Sequence, residues 1–224
     1  MKFYAAQIQA IVEALQNIFQ EGAYADREIA RVLKADKRRG SKDRAFIAEH
    51  TYGIVRYYRL YAHVAGGEPQ GTAEWWRTIG IHLIHAGFEL PEWREFAGLD
   101  AQWVKGKLAA AEEELVLRES IPDWLDKVGR EQLPEQWPAT MAALNEQAPV
   151  VLRVNTLKAN SGQVTEELKG EGIAVEAISD HALLVTERKN LFRTKAFQQG
   201  HFEVQDFSSQ QAAPALEVEP GQLV

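Results

Sequence analysis

The sequence contains no cysteine. A disulfide scaffold, a thiolate zinc site and a cysteine nucleophile are therefore excluded within its 224 residues. Long apolar runs are missing as well, and none approaches the roughly 18 residues that a membrane helix needs. The opening MKFYAAQIQAIVEALQNIF sets polar residues and Glu13 at helical intervals, unlike the apolar core of a signal peptide. A cytoplasmic protein that engages no membrane is expected. A positive overall balance is absent too: the net charge is −7, which argues against indiscriminate nucleic-acid binding by the whole molecule. Net charge hides distribution, however. Arg27–Arg59 holds ten Lys/Arg against four Asp/Glu, a surplus of six, so the remainder carries −13.

What is present is an ordinary globular composition, 46% hydrophobic and 25% charged, long enough for two modules. The first 145 residues read as helical. Ile8, Ile11, Val12, Leu15 and Ile18 form an amphipathic stripe that Gly22 ends. Asp26 is expected to cap a second helix carrying Ile29, Val32 and Leu33, and Ser41 a third. On the third, Phe46, Ile47, His50, Ile54 and Tyr58 share one face, as in a central core helix. A break at GGEPQGT precedes a helix from about Thr72 to His85, and another starts at Asp100. Ser120 and Pro122 signal a further start, and Met141 and Leu144 a last short helix.

From Pro149 the periodicity changes. VVLRVNTL, IAVEAI, ALLVTE and HFEVQ read as strands, SGQVTEELKGEG as a helix capped by Ser161 and stopped by Gly172, and LFRTKAF as a short helix. The order βαββαβ over residues 146–206 is that of a small ferredoxin-like or RNA-recognition-like layer. Residues 207–224 read as a helix interrupted near Pro214 and then a strand just beginning at the end, the pattern of a truncated further domain.

Several constellations could carry function. Lys34, Lys37, Arg38, Arg39, Lys42, Arg44, Arg56 and Arg59 could form a phosphate-binding surface, since such cations displace counterions from a nucleic-acid backbone; a solvated charged loop accounts for the run equally well. Arg153 and Asn155 alternate with apolar neighbours and should emerge on one face of the first strand. Gln205 and Asp206 stand between a strand and a helix start, placed to meet a ligand or simply to cap. His82 and His85 have a spacing that suits a metal, yet no third ligand is evident and no metal is assigned. The six tryptophans are expected to pack rather than to stack on bases.

Three segments in order, SKDRAFIAEHTYGIVRYYRLY, LRVNTLK and GHFEVQDFSSQQAA, together resemble the Sun/RsmB family of RNA cytosine-5 methyltransferases. Asp43, Arg44, Phe46, Tyr52, Gly53 and Arg56 match its NusB-like helical domain. Arg153, Asn155, Thr156 and Lys158 match its Arg-x-Asn-Thr-x-Lys strand, and Gly200, Gln205, Asp206, Ser209 and Gln210 the opening of its methyltransferase domain. The resemblance implies a mainly α NusB-like domain with connector helices (1–145), a ferredoxin-like module (146–206) and the start of a Rossmann-like methyltransferase domain (207–224).

By the same resemblance the full-length parent uses S-adenosylmethionine, which this fragment is not expected to bind. The family's chemistry needs cysteine thiolates, so the fragment is expected to be inactive. Its implied partner is RNA, small-subunit ribosomal RNA by the NusB-like front, with Gln205 and Asp206 near the substrate or cofactor pocket of the full enzyme. The competing reading is a non-catalytic NusB-like module that binds RNA or protein in transcription or ribosome assembly.

Overall fold

Apolar side chains of the first, third and fifth helices are fully withdrawn from water, and they fix how the front of the chain folds. The computed structural model describes residues 3–187, 189–219 and 221–223, which divide into two units, Met1–Glu146 and Gln147–Val224. The first is all helical: α1 (Ala5–Gln20), α2 (Ala25–Ala35), α3 (Ser41–Arg56), α4 (Tyr58–Ala65), α5 (Thr72–His85), α6 (Ala101–Ala111), α7 (Leu115–Arg118), α8 (Asp123–Gln132) and α9 (Trp137–Asn145). Ile8, Ile11 and Leu15 of α1 meet Ile47 and Ile54 of α3 and Trp75, Ile79 and Leu83 of α5 in one core. Each such side chain contributes about 1.5–3 kcal/mol on burial. A smaller cluster of Leu115, Ile121, Trp137 and Met141 closes the end of this unit.

Local chemistry departs from the sequence expectations at several helix starts. Asp26 is not the cap of α2; Tyr24 holds that position and Asp26 lies in the first turn, where its charge suits the helix dipole. Nor does Ser41 cap α3. Gly40 precedes the helix, and its N–H donates to Asp43 Oδ2 at 2.9 Å, so a first-turn carboxylate supplies the acceptor. The long third helix breaks at Tyr57, which places Tyr58 on α4. The cause is an inserted side chain: Ser120 Oγ accepts from the N–H of Arg59 at 2.9 Å and of Leu60 at 3.4 Å, interrupting the helical ladder. Ser120 thus serves α4 instead of starting α8, whose cap position is Pro122.

Not all the tryptophans are packed. Trp75, Trp76 and Trp137 are buried, but Trp103 is 44% and Trp124 67% exposed. Gly129 marks the face of α8 turned to α9, since a Cβ there would lie 2.2 Å from the Trp137 ring. Trp124, five residues earlier, points about 140° away from it. Trp103 lies beneath the Arg77 and Lys107 cations, at 5.7 and 5.8 Å from its ring.

The second unit is a ferredoxin-like βαββαβ layer: β1 (Val150–Val154), α10 (Ser161–Gly170), β2 (Val175–Ser179), β3 (Ala182–Val185), α11 (Lys195–Gln198) and β4 (Phe202–Val204). The strand order is β2-β3-β1-β4 and every pairing is antiparallel, with Leu152 opposite Leu183 and Val204. Leu152, Val154, Leu183 and Phe202 pack against Val164 and Leu168 of α10. Asn160, not Ser161, caps α10, accepting from Gln163 N–H at 2.9 Å; the Ser161 hydroxyl donates to the Asp180 carbonyl instead. Gly172 ends the helix at φ +75°, a conformation open to glycine. After β4 comes the single turn α12 (Phe207–Gln210), packed on β1, and then a 3-10 turn at Pro214–Leu216. The strand expected to begin over Gly221–Val224 does not form over 221–223, and Val224 lies outside the described residues.

Candidate nucleic-acid interface

The basic residues expected to act as one surface have different surroundings. Lys34, Lys37 and Lys42, on α2, the α2–α3 loop and α3, are exposed and have no ion-pair partner among the described residues. Arg38 is exposed as well, with Nε and Nη2 each 3.0 Å from an Asp36 oxygen; its guanidinium holds the Asp36 carboxyl down at about 2. Arg39 donates to the Val32 carbonyl at the end of α2, and Arg44 Nε to the Arg39 carbonyl at 3.1 Å. These two arginines stitch the loop while retaining further N–H donors. The loop therefore presents three ammonium groups and a guanidinium on a backbone held from within.

Arg56 and Arg59 lie elsewhere. Twelve residues of helix, about 18 Å, separate Arg44 from Arg56. Arg56 Nη1 donates to the Asn145 carbonyl at 2.6 Å, while Arg59 donates to the Ile121 carbonyl at 2.5 Å and to Asp123 Oδ1 at 2.6 Å. Both guanidiniums tie α3 and α4 to the end of the helical unit. Carboxylates of α7–α9 are likewise engaged internally. Glu119 meets Arg118 at 3.0 Å and accepts from Asn145 Nδ2 at 2.9 Å, and Asp126 meets Arg130 and the Trp137 indole N–H. Their geometry makes these carboxylates tethers of α7–α9.

In the second unit, Arg153 is exposed on β1 opposite Glu203 of β4. Asn155 follows the strand and is held by the loop: its Nδ2 donates to the Gly200 carbonyl at 3.0 Å, its N–H to the His201 carbonyl at 2.8 Å, and its Oδ1 accepts from Leu157 N–H at 3.3 Å. Lys158 Nζ joins the same turn through the Gln199 carbonyl at 3.1 Å. A concavity of about 430 Å³ lies among Arg153, Asn155, Leu157, His181 and Glu203. Asp206 caps α12, accepting from the N–H of Ser208 at 2.9 Å and of Ser209 at 3.4 Å. The backbone of Gln205 joins β1 through Val151, and its side-chain oxygen is buried without a partner among the described residues.

The sequence reading missed a chain of polar groups through the helical core. His50 Nδ1 lies 2.9 Å from His82 Nε2, His82 Nδ1 3.0 Å from the Tyr61 hydroxyl, that hydroxyl 3.1 Å from His85 Nδ1, and His85 Nε2 3.0 Å from Glu112 Oε1. Burial pulls the basicity of His50 down and that of His82 down to about 3, and pushes the Tyr61 hydroxyl up. The spacing of His82 and His85 was visible in the sequence; their partners come from other helices. Among the described residues, no group of three or more His, Asp or Glu is placed to hold a metal ion, and no helix is long and apolar enough to cross a membrane.

Residues 121–191 match the methyltransferase RsmF/B-like, ferredoxin-like domain family, spanning α8 to the segment just before α11. The chain is 31% identical over 185 residues to ribosomal RNA small subunit methyltransferase B of Pseudomonas syringae pv. tomato, covering 75% of this chain and 36% of that one. It is 32% identical over 171 residues to the protein of the same name from Pseudomonas putida, covering 75% and 37%. The chain thus spans little more than a third of the length of these relatives. Its fold also follows the crystal structure of PH0851 over 99% of this chain and 57% of that one, with a TM-score of 0.65 and 19% identity.

Proposed function

We propose that this chain, a region of the Sun/RsmB family of RNA methyltransferases, is the RNA-docking portion of a cytoplasmic, S-adenosylmethionine-dependent enzyme that methylates small-subunit ribosomal RNA at carbon 5 of cytosine. The relatives' name supplies the RNA class. The observation that carries the docking role is the α2–α3 loop, where Lys34, Lys37 and Lys42 stand exposed on a chain of net charge −7. A backbone phosphate that meets them releases condensed counterions, which makes binding steeply salt-dependent. The acidic groups of α7–α9 direct RNA to the basic side. Within the ferredoxin-like unit, Arg153 is a separate exposed cation on β1.

The described residues do not fit the methyl donor. β4 leads through Asp206 directly into a one-turn helix, with no glycine-rich strand-to-helix turn of the kind that holds a nucleoside. Without cysteine, this sequence also cannot supply the thiolate attack. Methyl transfer is accordingly not assigned to these residues, and we propose that the chain alone is inactive and does not bind the donor.

The test is fluorescence anisotropy of the 224-residue chain with small-subunit ribosomal RNA and with transfer RNA across a salt series. The expected result is preferential, steeply salt-dependent binding to the ribosomal RNA. Failure to bind either RNA at low salt refutes docking by this chain.

A further inference from the structure

A concavity of about 690 Å³ opens beside the basic loop, with Tyr4, Lys42, Phe46, Glu49, His50 and Phe88 around it. This lies within the range of small-ligand pockets. His50 and Gln7 are its buried polar members, 5% and 7% exposed. With His50 Nδ1 engaged by His82, Nε2 is the ring nitrogen left to meet an occupant. The chain to Glu112 sets its character. When the Glu112 carboxylate accepts from His85 Nε2–H and His85 Nδ1 is bare, the contacts are completed by the Tyr61 hydroxyl donating to His85, His82 Nδ1–H to Tyr61, and His50 Nδ1–H to His82. In this consistent set of tautomers His50 Nε2 is a bare acceptor.

The remaining surroundings are aromatic. The Phe46 ring lies 4.2 Å from the His50 ring, centroid to centroid, and Phe88 stands edge-on to both at 6.4 and 5.3 Å. Tyr4, 56% exposed, borders the opening. Beneath them Gln7 Nε2 donates to Asp43 Oδ1 at 2.8 Å while Asp43 Oδ2 takes the Gly40 N–H, so this carboxylate is engaged and Gln7 keeps a second amide N–H. Glu49, at the rim, is a second acceptor, and Lys42 the one cation among the lining residues. An anion finds no buried cation here. A flat ring bearing N–H donors finds the Tyr4 and Phe88 rings, acceptors and an ammonium at the mouth.

We propose that this pocket receives one unstacked nucleobase bearing an exocyclic amino group, which donates to His50 Nε2 while the adjoining phosphate meets Lys42. The proposal rests on the RNA-docking reading for its biological setting but makes a separate chemical claim. Stacking on an aromatic side chain is sequence-tolerant and strong enough to matter, and the acceptor pair would favour adenine, cytosine or guanine over uracil.

The experiment follows the ring signals of His50, assigned by their proximity to Phe46 and Phe88, in the isotope-labelled chain titrated with adenosine, cytidine, uridine, ribose 5-phosphate and N-acetyltryptophanamide. Adenosine and cytidine should shift them saturably, uridine less, and ribose 5-phosphate not at all. In parallel, Phe88→Ala should weaken binding of small-subunit ribosomal RNA about tenfold at fixed salt without altering the salt slope. A shift with ribose 5-phosphate alone, or with the tryptophan amide and no nucleoside, overturns the proposal in favour of an anion or a protein side chain. If RNA binds and no nucleoside moves His50, the pocket reading fails while docking stands. Nucleosides that move His50 in a chain that binds no RNA support the pocket and sink the docking.

Discussion

His82 Nε2 lies 2.9 Å from His50 Nδ1 where neither residue is more than 7% exposed, so two imidazoles share one proton position inside the helical core. Such a contact persists only while at least one nitrogen is unprotonated, and the neighbouring backbone must let the rings approach. Gly53 provides the room: a Cβ there would lie 2.9 Å from His82 Cε1. His82 cannot swing aside without leaving His50 or Tyr61.

Gly53→Ala should therefore destabilise the protein although alanine is the better helix former. Overpacking of this kind costs about 1–3 kcal/mol. Gly106→Ala, within α6 and with nothing inside 4 Å of the added Cβ, should instead stabilise by about 0.5–1 kcal/mol. Urea denaturation of the two variants gives opposite signs; a gain for both would show that His82 yields freely.

Acid should weaken the helical core through the same pair. His82 carries a folded-state value of about 3 against the ordinary 6.5, and His50 is lowered in the same direction by burial. Below pH 6.5 the unfolded chain binds protons that the folded chain refuses, so the stability is complete above that pH and falls as pH drops toward 3. At 1.36 kcal/mol per pH unit, His82 alone removes about 2–3 kcal/mol by roughly pH 4.5. His82→Gln keeps a hydrogen-bonding side chain without titrating in this range. Its stability should vary less with pH between roughly 6.5 and 4.5 than that of the parent, whatever its absolute value, and equal slopes would remove His82 as the cause.

The periodicity of the sequence located most elements because burial selects residues at fixed steps: the stripe of α1, the buried run of α5 and the βαββαβ order all form as expected. It was least informative where one atom from a distant segment decides. Ser120 breaks the helix at Tyr57 by accepting from Arg59, 61 residues away, Asp43 takes the capping role expected of Ser41, and His82 meets His50 across 32 residues. Charge counting likewise could not separate Lys37, exposed in the loop, from Arg59, engaged with Ile121 and Asp123. The pocket residues Tyr4, His50 and Phe88 share no local pattern at all.

That separation of the cations has a measurable consequence. Arg59→Ala removes bonds to a carbonyl and a carboxylate and should cost about 1–2 kcal/mol of stability while leaving the salt slope of RNA binding unchanged. Lys37→Glu or Lys42→Glu should do the reverse, with little effect on stability and a slope shallower by about one unit for each phosphate no longer neutralised. Chemical denaturation and a salt series on the same variants separate the two classes. An unchanged slope in the lysine variants would count against the loop as the phosphate surface.

Asn155 poses the same question in the ferredoxin-like unit. Its side-chain amide donates to the Gly200 carbonyl at 3.0 Å, and Gly200 adopts φ +70° with Lys158 Nζ 2.9 Å from where a Cβ would stand. The turn that delivers β4 to β1 therefore depends on a donor at position 155. In Asn155→Asp one carboxylate oxygen would face that carbonyl, replacing attraction by repulsion, and the turn should loosen by about 1–3 kcal/mol. Hydrogen exchange reports this directly: the Asn155 N–H bonded to His201 and the β1–β4 amides should exchange faster, about ten- to a hundredfold. Arg153→Glu, on the exposed side of the same strand, should leave that protection intact and weaken RNA binding. If Asn155→Asp kept its protection and lost RNA affinity, the amide would be contacting RNA and not bracing the turn.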